Sequence, residues 1–176
     1  MSNVWFVSDL HWGHRNICKY RPEFDTEEQH RATIKGNILG CIRKRDTLWI
    51  LGDSVFTMEG DSMKDLLDVK KSCAVMKLVI GNHCGQHMNK EDRDNLLAMF
   101  DTVYGIHSKY GAWLTHAPVH PLELRGKFNI HGHVHTETIP DPRYINMCLE
   151  EHNYMPRDIA WLRGEMDRRR RLINEH

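Results

Sequence analysis

The sequence predicts an α/β fold of the sandwich type, and two observations lead to this prediction. Up to about residue 100, short apolar runs typical of buried strands alternate with longer helical stretches. From residue 103 onward, several short strand-like runs follow one another without a long helix between them. Strands collected in this second part predict a second sheet, which favours a sandwich over a simple doubly wound sheet.

Periodicity and turn residues predict the individual elements. Thr26 and Gln29 resemble a capping box at the start of a helix, and Gly111 is typical of a hairpin turn. Pro156 is a favourable first residue for the last helix. In order, we expect a strand at 4–8, a helix at 26–43, a strand at 47–51, a helix from Asp61 or Ser62 to Lys70, a strand at 74–80, a helix at 90–100, strands at 103–108, 112–115, 128–131 and 144–149, and a helix at 156–171.

Length and composition predict one domain, spanning 1–176, without a bias toward charged partners. The 24 basic and 24 acidic residues balance, so no overall field favours nucleic acid or a membrane surface. The five cysteines have no C-x-x-C spacing, which argues against a disulfide framework and for a reducing compartment. No leader is visible, and no apolar run approaches the ~18 residues of a membrane span. We expect a cytoplasmic protein.

Side chains able to bind metal recur directly after most of the predicted strands. One carboxylate or histidine after a strand means little, but the same event after successive strands indicates one convergent site, since strand ends meet at a sheet edge. Carboxylate, amide and imidazole groups suit hard-to-borderline divalent ions better than a thiolate zinc site would. The candidate ligands are Asp9, His11, Asp53, Asn82, His116, His133 and His135.

Spacing suggests how these groups divide between two ions. In extended chain, residues i and i+2 point to the same side, so Asp9 and His11 can grip one ion together. His133 and His135 share this spacing and can face the same site. Two ions ~3.5–4 Å apart need a shared ligand, for which the Asp53 carboxylate is suited.

The motif order D-x-H, G-D, G-N-H, H and G-H-x-H resembles the calcineurin-like metallophosphoesterase superfamily. The segments SDLHWGHRNI, LGD and YINMCLEEHNYMP are similar to its small, cap-less bacterial and phage members. The resemblance implies a four-layer α-β-β-α sandwich of two mixed sheets flanked by helices, and hydrolysis of a phosphate ester by in-line attack of a metal-bridging hydroxide.

The resemblance also implies the roles of individual residues. Asp53 would bridge two divalent ions, with Mn²⁺ favoured and Fe, Zn, Ni or Co as alternatives, and His83 would be the catalytic acid. The first ion would be held by Asp9, His11 and His135, and the second by Asn82, His116 and His133.

Two departures from the family pattern affect what is expected. The family usually has an acidic residue after G-N-H to orient the histidine, whereas this chain has Cys84. His83 would then be less well oriented, or another nearby group would take over, and Cys84→Asp is expected to raise turnover on substrates with poor leaving groups. Ser54-Val55-Phe56 replaces the Asp-Arg-Gly of protein serine/threonine phosphatases, which argues against that activity.

Three further residues are candidates for contacts to substrate or to the ligands. His14 and Asn16 lie just after the D-x-H turn, where the similar small enzymes often carry H-x-N. We interpret them as phosphate or supporting contacts, with simple loop hydrogen bonding as the alternative. Trp12 lies between His11 and His14, where its ring would be able to stack on a base; a core position is its alternative.

The leading functional hypothesis is a metal-dependent phosphohydrolase acting on a small or nucleotide-like substrate, with a phosphodiester favoured. A phosphomonoesterase is the nearest alternative, because one centre can cleave both bond types. A binding or scaffold protein on the same fold is a second alternative, which Cys84 favours slightly and the complete ligand set disfavours. A nuclease is a third, and the balanced charge disfavours it.

Overall fold

A computed structural model describes residues 1–57, 60–84 and 86–175 and contains two mixed sheets and four α-helices. The strands are β1 (Val4–Val7), β2 (Thr47–Ile50), β3 (Val75–Val79), β4 (Thr102–Tyr104), β5 (His107–Lys109), β6 (Ala112–Leu114), β7 (Phe128–His131), β8 (Tyr144–Asn146) and β9 (Arg157–Asp158). The helices are α1 (Glu27–Cys41), α2 (Ser62–Ser72), α3 (Lys90–Ala98) and α4 (Ile159–Asn174).

The two sheets divide the chain as the element order predicts. The first has the order β4-β3-β2-β1-β9, with β1 to β4 parallel and β9 antiparallel to β1. The second has the order β5-β6-β7-β8, in which only the β5–β6 pair is antiparallel. The predicted α/β sandwich is therefore confirmed.

Alternation along the strands of the first sheet separates two cores. Because successive side chains point to opposite faces, Leu48 and Ile50 pack toward α1 and α2, whereas Trp49 points between the sheets. On β1, Val7 and Phe6 divide in the same way. The second core also receives buried residues of the second sheet and of α4, among them Ala112, Leu114, Phe128, Ile130, Leu162 and Met166.

Helix α4 packs into the core between the two sheets through Leu162 and Met166. The Arg169 guanidinium donates to the Tyr144 carbonyl on β8, and the Arg170 guanidinium lies 5.3 Å from the Phe128 ring centre on β7. Helices α1 and α2 pack together on the opposite face of the first sheet, in the other core.

Two predicted boundaries are wrong, and both errors have a tertiary cause. The run 103–108 is divided between β4 of the first sheet and β5 of the second, a change of sheet that periodicity does not reveal. The last helix begins at Ile159 rather than at Pro156, because Arg157 and Asp158 pair with β1. The Asp158 carboxylate then accepts from the Trp161 amide and caps the helix.

Other local predictions are confirmed. Thr26 caps α1 by accepting from the Gln29 amide. Tyr110 and Gly111 connect β5 to β6 with φ values of 58° and 78°, the left-handed conformations of a type I′ hairpin. Within the described ranges, no helix combines the length and the apolar character that crossing a membrane requires.

Candidate metal centre

The seven predicted ligands meet at one edge of the sandwich, where five strands end. They follow β1, β2, β3, β6 and β7, and the parallel course of these strands brings the ends together. Five of the seven have a positive φ, between 47° and 74°, which is rare for residues other than glycine. Such strain persists where packing imposes it and clusters at functional sites. The five are Asp9, His11, Asp53, His133 and His135.

One oxygen of the Asp9 carboxylate, Oδ2, accepts three hydrogen bonds, whereas Oδ1 has no hydrogen-bond partner among the described residues. Oδ2 accepts from Ser8 Oγ at 2.5 Å, from the His133 amide at 3.0 Å and from Cys148 Sγ at 3.2 Å. Oδ1 lies 3.5 Å from His11 Nε2. Burial raises the pKa of this carboxyl, but His11 and the charge of His116 outweigh burial and hold the pKa below its usual range. Asp9 therefore presents an ionised oxygen to the centre.

Asp53 lies between the two halves of the ligand set. Its Oδ1 accepts from the His83 amide at 2.8 Å. Its Oδ2 lies 3.1 Å from His116 Nε2 and 3.9 Å from His11 Nε2. Burial raises the pKa of Asp53, but the contact with His116 and the charges of His116 and His11 together outweigh burial and lower it. This position is the one that a bridging carboxylate needs.

Acceptor atoms converge on His116 Nε2. The ring nitrogen Nδ1 is 2.9 Å from the Leu51 carbonyl, which requires Nδ1 to carry the proton. Nε2 then faces Asn82 Oδ1 at 2.9 Å and His133 Nδ1 at 3.3 Å, besides the Asp53 oxygen. Burial lowers the pKa of His116, but the two aspartates outweigh burial and raise it. The arrangement thus stabilises positive charge at this point.

A buried charge network orients His135. Its Nδ1 lies 2.7 Å from Glu150 Oε1, which leaves Nε2 free for an ion. Glu150 Oε1 also accepts from Arg21 at 2.8 and 2.9 Å. Arg21 is 1% exposed and donates as well to the Asp9 carbonyl and to His30 Nε2, both at 2.7 Å. Burial raises the pKa of Glu150, but His135 and Arg21 outweigh burial and lower it.

Two glycines allow the strand ends to approach so closely. A Cβ on Gly52, whose φ is +98°, would overlap the His116 ring. A Cβ on Gly81 would overlap both the side chain and the backbone nitrogen of Asp53. Any larger residue at these positions would push ligands apart.

The residues present fit divalent metal ions. Two groups of three side chains offer ligand atoms within 4.8 Å of one another: Asp9 with His11 and His135, and Asp9 with Asp53 and His116. Asp9 Oδ1 and His11 Nε2 are buried and have no hydrogen-bond partner among the described residues. Buried polar atoms without partners are uncommon in folded proteins, and a cation between these two atoms would satisfy both.

His83 is oriented by a residue that the sequence did not indicate. Its Nδ1 contacts Gln86 Oε1, so the amide oxygen of Gln86 takes the place in which an acidic residue is expected after G-N-H. Cys84 Sγ instead accepts from the Gly81 amide at 3.4 Å, and burial raises the pKa of its thiol. Cys84 supports the turn and does not contact His83 through its thiol.

A cleft of about 420 Å³ opens beside the first group of ligands. His11, His83 and His135 line it, and so does His14. Burial, followed by the charge of His11, lowers the pKa of His14. The other lining residues are Ile17, Tyr20, Phe56, Thr136 and Glu150.

Two of the predicted substrate contacts lie elsewhere. Trp12 is fully buried, because its pairing with Val55 turns the ring into the core under α1 and α2, and so it cannot stack on a base. Asn16 is exposed and lies at the start of a 3-10 turn (Ile17–Lys19), outside the residues that line the cleft. Its backbone carbonyl accepts from the Lys19 amide, and a substrate contact by its side chain stays a prediction.

Sequence reasoning missed Glu150, Arg21, Gln86 and Phe56 as site residues. Glu150 had a usable signal, because it follows β8 and repeats the pattern of an ionisable group after a strand. Arg21 had none, since it lies in a polar loop and reaches the centre only through long-range contacts.

Several proteins resemble this chain. The Gene 66 protein of Mycobacterium phage L5 is 31% identical over 166 residues, which is 79% of this chain and 80% of that protein. The uncharacterized protein MJ1445 of Methanocaldococcus jannaschii is 28% identical over 168 residues, covering 89% of this chain and 86% of that protein.

One solved structure is similar over nearly its whole length. It is the protein of unknown function AQ665 from Aquifex aeolicus, with a TM-score of 0.71 and 26% identity, covering 93% of this chain and 99% of that one. No model of a known protein family matches the chain.

Proposed function

The chain belongs to the family of the Gene 66 protein of Mycobacterium phage L5, and we propose that it is a metal-dependent phosphoesterase. Its substrate would be a small or nucleotide-like phosphate ester, with a diester favoured. Two divalent ions would be bound, and Mn²⁺ is the first to test because the ligands are oxygens and imidazoles.

The position of Asp53 is the observation that carries this proposal. Its Oδ2 lies between His11 Nε2 and His116 Nε2, at 3.9 and 3.1 Å, and so faces both halves of the ligand set. One half would be completed by Asp9 and His135, and the other by Asn82 and His133. A carboxylate shared in this way is what a pair of ions in a hydrolase requires.

When bound, the ions would supply a water of lowered pKa and stabilise charge on the phosphoryl oxygens. The chain's own residues would do the rest. His83, at the wall of the cleft, would donate a proton to the leaving oxygen. Gln86 would hold the His83 ring through Nδ1, leaving Nε2 directed at the substrate.

The alternatives are less well supported. A scaffold protein does not require strained backbone at five candidate ligands, nor the buried Arg21 that supports them. A nuclease is disfavoured because 24 basic residues are balanced by 24 acidic ones, whereas phosphate-backbone binding relies on clustered cations.

The test is metal loading followed by activity measurements. The chelated protein would be reconstituted with Mn²⁺, its metal content measured, and hydrolysis assayed on phosphomonoesters, phosphodiesters and cyclic nucleotides. We expect close to two equivalents of metal and hydrolysis that Asp53→Asn reduces by more than about 100-fold, since a shared ligand matters at least as much as an outer one. Less than one equivalent with no hydrolysis would support the scaffold instead.

A further inference from the structure

The candidate metal centre lies between two clefts, each lined by a different half of the ligand set. The first, of about 420 Å³, has His11 and His135 in its wall. The second, of about 410 Å³, has His116 and His133 in its wall, together with Asn82. Because Asp53 lies between these halves, a phosphate held there would have one cleft on either side.

The first cleft has an aromatic wall. The Phe56 ring packs against the His14 ring with centroids 4.4 Å apart, and against the His83 ring at 5.4 Å. Tyr20 stands at the side of the cleft, is 74% exposed and contacts His14 edge-on at 5.9 Å. Ile17 adds an apolar surface. Exposed and half-buried rings of this kind favour a planar, apolar group.

The second cleft is aliphatic. Ile80 and Ile106 line it and are 42% and 51% exposed, which is unusual for such large apolar side chains next to a polar centre. Val119 and Ala117 continue the same surface. None of the described residues that line this cleft is aromatic apart from the two histidines, so it suits a flexible alkyl group rather than a ring.

We propose that the substrate is an unsymmetrical phosphodiester whose planar aromatic substituent occupies the first cleft and whose aliphatic substituent occupies the second. This inference rests on the proposed phosphoesterase function and specifies which substituents of the diester the two clefts select. His83 lines the aromatic cleft and not the aliphatic one, so the alcohol that leaves is the aromatic one.

The reaction balances with water as the only co-reactant. The phosphorus–oxygen bond to the aromatic alcohol breaks, and a water oxygen forms the new bond to phosphorus. His83 gives its proton to the leaving oxygen, and the proton released by the water restores it. The products are the aromatic alcohol and a phosphate monoester that keeps the aliphatic group.

The test uses two pairs of synthetic diesters with the Mn²⁺-loaded protein. Methyl benzyl phosphate and methyl cyclohexylmethyl phosphate compare a planar with a non-planar leaving group of similar size. Butyl 4-nitrophenyl phosphate and methyl 4-nitrophenyl phosphate compare retained groups. We expect kcat/KM preferences of about fivefold or more for benzyl and for butyl, given the effect of a few methylenes or one ring contact.

Variants assign each preference to its cleft. Phe56→Ala is expected to remove the benzyl preference and keep the butyl preference, whereas Ile106→Ser is expected to do the reverse. Tyr20→Ala, at an exposed position that folding tolerates, is a second variant for the aromatic side. Leu172→Ser is the matched control, because Leu172 is 40% exposed on α4 beside Asp141, away from both clefts.

The outcomes separate this inference from the function on which it rests. Three results would overturn the two-cleft inference and leave the phosphoesterase function intact. They are benzyl and butyl preferences that no variant changes, products in which the benzyl group stays on the phosphate, and hydrolysis of monoesters alone. If the metal-loaded protein hydrolyses neither monoesters nor diesters, the proposed function itself fails.

Discussion

The two halves of the candidate metal centre are held in different ways. His135 depends on charge: Glu150 fixes its ring, and the buried Arg21 fixes Glu150. His116 has a neutral partner on one ring nitrogen only: the Leu51 carbonyl fixes Nδ1, while Nε2 faces Asn82 and the Asp53 carboxylate. The charged half, that of His135, is supported by a chain of contacts that runs through Glu150 to Arg21 and on to the Asp9 carbonyl, whereas His116 is oriented by one backbone carbonyl at the end of β2. A substitution in the charged half should therefore disturb more contacts than a substitution beside His116.

The largest expected effect is on stability, from removing the cation of the charged half. Arg21→Met leaves Glu150 and the Asp9 carbonyl without their buried donor, and breaking such a pair costs about 3–5 kcal/mol. Urea unfolding of the metal-free protein would measure this loss. Arg125→Met is the control, since Arg125 pairs with Glu123 on the surface and should contribute less than about 1 kcal/mol. Equal losses in the two variants would contradict the comparison.

The next effect is on metal affinity. Glu150→Gln keeps the size of the side chain but weakens its hold on His135 Nδ1, and loss of such an outer partner lowers metal affinity about 10–100-fold. Calorimetric titration of the apo protein with Mn²⁺ would show this as weakening of one of two sites. The adjacent and exposed Glu151 provides the control, Glu151→Gln. Uniform weakening of both sites would mean that the halves are not separately supported.

A smaller effect is expected on turnover alone. Gln86→Leu removes the acceptor at His83 Nδ1, and we expect about tenfold slower hydrolysis of esters with poor leaving groups, less than the ~100-fold or more that loss of the proton donor itself would cost. Metal content should not change, because Gln86 lies outside both ligand groups. Cys84→Ser should have little effect, and Cys84→Asp should not raise turnover, because this thiol faces the Gly81 amide. Higher turnover in Cys84→Asp would restore the original expectation for this position.

The last prediction is a pH dependence of stability to which His30, in the charged half, contributes. Burial, followed by the charge of Arg21, lowers the pKa of His30 to about 3. The unfolded chain takes up this proton near pH 6.5 while the folded chain does not, so stability is complete above pH 6.5 and falls as the pH is lowered toward 3. One such group contributes at most ~1.4 kcal/mol per pH unit.

Denaturation between pH 7 and 4 would measure this slope. His30→Gln can still accept from Arg21 and does not titrate, so its slope should be shallower than that of the parent protein. An unchanged slope would show that His30 is not the group responsible.

Local patterns predicted much of the fold and of the ligand set. The apolar run at 47–51 predicted a buried strand, and β2 divides its side chains between two cores. The repeated placement of ligands after strands was sufficient to predict one convergent site, because parallel strand ends must meet at one sheet edge. The error at 103–108 arose where the chain changes sheets, which no local period records.

By itself, the sequence predicted which seven groups come together at the candidate metal centre, because each follows a strand and the strand ends meet at one sheet edge. Only the tertiary structure decided how those groups are held and what surrounds them. Arg21 lies 129 residues from Glu150 in the chain, yet the Arg21 guanidinium donates a hydrogen bond to the Glu150 carboxylate. Trp12 lies beside His11 in the chain, yet its ring is buried in the core. Contacts between distant segments and the direction of a side chain at a turn depend on packing, which local sequence patterns do not contain.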